Sequence, residues 1–189
     1  MTTPTSSLEK IYQIKVTLKN SRPPIWRRLL VPSSITLARL HRVLQAAMGW
    51  HNCHLHQFVV AGNCYGDPGL DAGFEVVDEL KVHLDRLLIN VRNSMVYEYD
   101  FGDCWEHKID LEKILPADPA ITLPQCIKGV RACPPEDVGG VWGYAGFLAA
   151  MADPEHPEHE DYKEWIGEKF DPEHFDINRI NARLADAHD

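Results

Sequence analysis

Between Ile11 and Lys19 apolar and polar residues alternate without a break. Ile14, Val16 and Leu18 fall on one side, Gln13, Lys15, Thr17 and Lys19 on the other. An extended strand with one dry face separates residues in this way. Asn20-Ser21-Arg22-Pro23-Pro24 is turn material, because proline fixes φ and removes a donor, and a second strand is expected over Ile25–Val31, ended by Pro32. The period then lengthens: Leu37, Leu40, Val43 or Leu44, Ala47 and Met48 mark a helix from Thr36 to about Met48, with Ser34 as its expected N-cap and Gly49 as its stop. The period returns to two at His54–Val60. A chain that runs strand, strand, helix, strand in its first 65 residues is constrained towards a β-grasp-like ββαβ unit.

The remainder extends that unit. Asp67–Gly73 reads as a loop, and Phe74–Asn90 is ambiguous between a short strand and a short helix. Val96–Phe101 and Trp105–Leu111 read as a hairpin around Gly102-Asp103. Leu115–Pro135 reads as a proline-rich connection without regular elements. Helices are expected at Tyr144–Met151, Glu158–Glu168 and Ile177–Ala187. The resulting expectation is an α+β fold: the β-grasp-like unit, a further hairpin, and C-terminal helices packed on the sheet. One domain over residues 1–189 is expected, with an ordered core at roughly 10–185. No apolar run approaches the roughly 18 residues that would span a bilayer, and no basic-then-apolar leader opens the chain. The five cysteines include no CxxC pair, so reduced thiols and a cytoplasmic location are expected.

The net charge of −9 is unevenly spread: residues 1–60 hold eight Lys/Arg and one acid, and the acids crowd the rest. Arg22, Arg27, Arg28, Arg39 and Arg42 are therefore candidates for contact with nucleic acid, although a basic part docked on an acidic part accounts for the same split. Chemistry-bearing residues gather in two later segments, Tyr97–His107 (YEYDFGDCWEH) and Cys126–Tyr144 (CIKGVRACPPEDVGGVWGY). Asp100, Asp103 and His107, brought to a hairpin tip with Glu136 and Asp137, form the candidate functional cluster. His54 and His56 share a strand face; with Asp103 and His107 they form a candidate ligand set for a divalent metal such as zinc. Each has a plainer reading: paired histidines at a strand start, a turn carboxylate at Asp103, and His107 on an apolar face beside Trp105 and Ile109. Pro134-Pro135 and Gly139-Gly140 steer backbone in either case. Nucleophile-elbow, Walker A, HExxH and dinucleotide glycine motifs are absent from the sequence.

Five stretches, IWRRLLVP at Ile25–Pro32, AAMGWHNCHLHQF at Ala46–Phe58, YEYDFGDCWEH at Tyr97–His107, ACPPEDVGGVWGY at Ala132–Tyr144 and FDPEHFD at Phe170–Asp176, together resemble the plasmid pRiA4b ORF-3-like family. The resemblance implies an intracellular α+β protein associated with plasmids and mobile elements, some relatives being labelled TnpR-type passenger proteins. It brings no agreed catalytic residues. Many relatives carry a cysteine where this chain has Val138, which weakens any three-cysteine metal site. The leading expectation is a binding or interaction module for a protein or small-molecule partner. The alternatives are a metal-dependent hydrolase or nuclease, with Glu136 as general base, and a DNA-binding accessory protein.

Overall fold

A computed structural model describes residues 10–69, 75–167 and 170–186. Eight strands form one sheet: β1 (Ile11–Leu18), β2 (Trp26–Pro32), β3 (His56–Val60), β4 (Asn63–Gly66), β5 (Val77–Asp78), β6 (Ser94–Tyr99), β7 (Trp105–Leu115) and β8 (Gln125–Val130). The helices are α1 (Leu37–Met48), α2 (Leu84–Leu87), α3 (Gly140–Ala152), α4 (His159–Ile166) and α5 (Ile177–Asp186). The α+β class is as the residue pattern predicts. Most of the expected Asp67–Gly73 loop, Phe74, and the last residues of two expected helices (Glu168 and Ala187) lie outside the described residues.

The sheet order is β5-β4-β3-β6-β7-β1-β2-β8, and every pairing but β4–β5 is antiparallel. The opening ββαβ run is present in sequence. Its returning strand β3, however, does not lie beside β1, because β7 takes that edge and β6 separates β7 from β3. The long β7 has Trp105, His107, Ile109 and Leu111 all buried, a dry face that continues the dry face of β1. Register lines up Phe58, Tyr97, His107 and Leu18 across four strands, with His56, Tyr99 and Trp105 in the next row.

Helix α1 covers this face with the stripe its spacing predicts: Leu37, Leu40, Val43, Leu44, Ala47 and Met48 are buried. Its cap is Thr36 rather than Ser34. The Thr36 hydroxyl accepts from the Arg39 N–H at 3.3 Å, and Gly49 ends the helix at φ 99°. The other correction is β8, which occupies part of the segment expected to lack regular structure. Its brief apolar content gives no readable alternation, and the strand forms at the sheet edge by backbone pairing with β2.

Candidate functional site

The site is built where β3, the β6–β7 hairpin and the loop before α3 converge. Strand alternation stops at Tyr99. Asp100 adopts left-handed backbone at φ 59°, and its Oδ1 accepts from the Gly102 and Asp103 N–H groups at 2.9 and 3.3 Å. Its own N–H donates to Leu55 O at 2.8 Å, tying the hairpin tip to the approach to β3. Asn52 and Asp137 are also left-handed, at φ 57° and 60°. This conformation is uncommon outside glycine and best tolerated by Asn and Asp. Pro134-Pro135 carries Glu136 and Asp137 forward as their spacing predicts, held by the Trp50 indole N–H on Pro134 O at 3.1 Å.

These turns bring His54, Asp100 and Asp137 together. His54 Nε2 lies 3.0 Å from Asp137 Oδ1 and 3.7 Å from Asp100 Oδ2, and one donor atom from each residue lies within 4.8 Å of the others. His54 Nε2 is buried and makes no well-aligned hydrogen bond; its nearest neighbours are carboxylate oxygens. Zinc bonds to nitrogen and oxygen of about 2.0–2.2 Å place ligand atoms about 3.3–3.6 Å apart in a tetrahedral site. The two His54–carboxylate separations bracket that range, and the three residues form a group that could hold a metal ion. The Asp137 side chain is 69% exposed and that of Asp100 only 11%, which leaves one side open to an incoming ligand. Next to it lies an open cavity of about 670 Å³, lined in part by His41, Cys53, His54, His56, Asp78 and Glu79.

The other candidate residues serve different ends. Glu136 accepts from Tyr99 Oη at 2.7 Å and from the His51 N–H at 3.1 Å through Oε1, while the Cys53 thiol lies 3.7 Å from Oε2. Partial desolvation and the Glu136 and Asp137 carboxylates push the Cys53 thiol up, keeping it a protonated donor. Burial, then the bond to Glu136, pushes the Tyr99 phenol up as well. Asp103 locks the tip to α3: its Oδ2 accepts from the Gly139 N–H at 3.1 Å. A Cβ on Gly140 would stand 2.5 Å from Asp103 O. His107 is fully buried between Trp50, Tyr97 and Trp105, and burial pushes its pKa down to about 4. His56 Nε2–H donates to Glu79 Oε2 at 2.9 Å, and the ring stacks on His41.

The arginines separate in the same way. Arg27 is 3% exposed and gives its donors to the carbonyls of Ala47, Trp26, Val130 and Arg131 at 2.8–3.1 Å. Arg28 makes a bidentate pair with Glu112 at 2.6 and 2.8 Å. Arg22, Arg39 and Arg42 are exposed. Sequence reasoning passed over Gln45, Tyr99 and Glu79. The readable signal was on α1, where His41 and Gln45 are polar residues four apart within an otherwise apolar stripe.

The sheet and site define a class first: an α+β protein with helices backing one eight-stranded sheet and a His–Asp–Asp cluster at the tip of its β6–β7 hairpin. The chain belongs to the plasmid pRiA4b ORF-3-like protein family, whose model matches residues 10–179. It is 40% identical over 178 residues to the uncharacterized protein y4hQ of Sinorhizobium fredii, covering 93% of this chain and 91% of that one. It also resembles the crystal structure of MM3350, a protein of unknown function from Methanosarcina mazei Go1, with 42% identity and a TM-score of 0.82. That match covers 91% of this chain and 97% of the other.

Proposed function

We propose that the protein is a binding module that engages its partner through a divalent cation held by His54, Asp100 and Asp137. The carrying observation is the meeting of three donor atoms from three separate segments within 4.8 Å. An imidazole with two carboxylates suits a borderline cation such as zinc or manganese. Three protein ligands leave positions open for oxygen or nitrogen donors from a partner. The residue expected to act as a general base, Glu136, has Oε1 committed to Tyr99 and His51, which favours binding over hydrolysis. Arg27 and Arg28, two of the five arginines considered for nucleic-acid contact, are committed to carbonyls and to Glu112, which weighs against a nucleic-acid role. Among the described residues no helix is long and apolar enough to cross a membrane.

The test is calorimetric titration of the untagged, chelator-treated protein with zinc and with manganese. One equivalent of at least one of the two should bind. Affinity for it should fall more than about a hundredfold in Asp137→Ala and His54→Ala, since even residues behind the ligands typically matter 10–100-fold. Absence of heat with both cations, or equal binding by the variants, sinks the reading.

A further inference from the structure

Behind the cation cluster, a closed ring of hydrogen bonds joins α1, β6 and the loop that carries His54. The Gln45 amide Nε2–H donates to Tyr97 Oη at 2.9 Å. The Tyr97 hydroxyl is 2.8 Å from His41 Nδ1, and His41 Nε2 is 2.6 Å from Asn52 Oδ1. The Asn52 backbone N–H closes the ring on Gln45 Oε1 at 3.0 Å. One sense of donation satisfies every link. Because the amide donates to the phenol oxygen, the phenol proton goes to His41 Nδ1. His41 must then carry its own proton on Nε2 and give it to the Asn52 carbonyl oxygen. That tautomer requires a neutral ring, and burial, with His56 next in effect, holds His41 down at about 3.

The ring is clamped from outside. His56 stacks flat on His41, centroids 3.4 Å apart and planes 6° from parallel, and is itself held by the buried Glu79 at 2.9 Å. On the other side the ring fixes Asn52, two residues before His54, in left-handed backbone at φ 57°. The N–H groups on either side are anchored as well, His51 on Glu136 and Cys53 on Tyr99 Oη at 3.0 Å. An irregular loop thus has three successive backbone donors tied to side chains of three different segments. Polar networks of this kind rigidify when every member is satisfied, and a ligand set is held to geometry by the groups behind it.

We infer that the Gln45–Tyr97–His41–Asn52 ring sets His54 against Asp100 and Asp137, making His41, Gln45 and Tyr97 positioning residues for the cation site. The inference rests on the cation reading. The plainer account is that the ring only satisfies buried polar groups, in which case breaking it lowers stability and leaves the site unchanged.

Two readouts separate these accounts: zinc affinity in a chelator-buffered titration, and the His54 ring resonances in ¹H–¹⁵N NMR of the metal-free protein. Tyr97→Phe removes the phenol at the middle of the ring. It should lower zinc affinity about tenfold to a hundredfold and shift or broaden the His54 signals. Asn52→Asp keeps the acceptor and should bind within about threefold of the parent. Asn52→Gly keeps the backbone conformation without the acceptor and should behave as Tyr97→Phe does, covering the case in which that variant fails to fold. Zinc affinity within about twofold of the parent in the folded ring-broken variants overturns the inference. Should the parent bind neither zinc nor manganese, the cation reading falls; the NMR arm then decides, and superposable His54 signals in the parent and in Asn52→Gly overturn the ring's role as well.

Discussion

The β6–β7 hairpin carries two regions built from the same residue types with opposite consequences. In its body, Tyr97 and His107 face each other across the ladder beside Trp105, all with no measurable exposure. At its tip, a few residues away, Asp100 faces a half-exposed His54 and an exposed Asp137. The body packs a histidine among aromatic rings, its ring nitrogens without hydrogen-bond partners among the described residues; the tip sets one among carboxylates. What separates them is the left-handed step at Asp100, which ends the alternation and turns a carboxylate back over the loop. Residue identity proposes a ligand, and position on the pleat decides whether it can reach one.

The sharpest break between the two regions is energetic. Trp105→Ala should cost about 3–5 kcal/mol, the usual range for a fully buried large aromatic, whereas His54→Ala should cost less than about 1 kcal/mol. Denaturant midpoints of the metal-free proteins measure both, and equal losses would erase the distinction. Second in size is the pH response of the body. Burial takes the His107 pKa from 6.5 to about 4, so the unfolded chain accepts a proton that the folded chain refuses. Its contribution is intact above about pH 6.5 and is lost as pH falls towards about 4, at about 1.4 kcal/mol per unit and about 3 kcal/mol in all. His41, held at about 3, acts in the same direction. His107→Phe should remove one proton's worth of slope across pH 6.5–4; an unchanged slope in midpoints taken at each pH counts against this account.

Much of the architecture was legible because period carries it. The alternation of β1, the α1 stripe from Leu37 to Met48 and the dry face of β7 are local patterns, and each formed where its spacing places it. The sheet order was not legible. Whether β7 or β3 takes the free edge of β1 depends on matching two dry faces far apart in the chain. Strand β8 was hidden for a related reason, since an edge strand draws its stability from its neighbour. At the site, Asp100, Asp137 and His54 were all candidates, but their meeting depends on left-handed backbone at two of the three. The sequence marks that backbone only by the presence of Asp. The Gly139-Gly140 loop reads equally well as a ligand loop or as a lock, and Asp103 most simply as a turn carboxylate; contact between them makes the lock.

The smallest expected effect tests whether the tip is a site at all. A cation that binds the folded chain alone adds about 2.7 kcal/mol of stability at a hundred times its dissociation constant. With zinc at that excess, the parent and His107→Phe should both gain about this much over their metal-free midpoints, because His107 lies in the body. His54→Ala and Asp137→Ala should gain almost nothing, although their metal-free stabilities stay close to that of the parent. A gain surviving in His54→Ala would place the cation elsewhere. A gain lost in His107→Phe would mean that body and tip are coupled through the Tyr97 row rather than divided at Asp100.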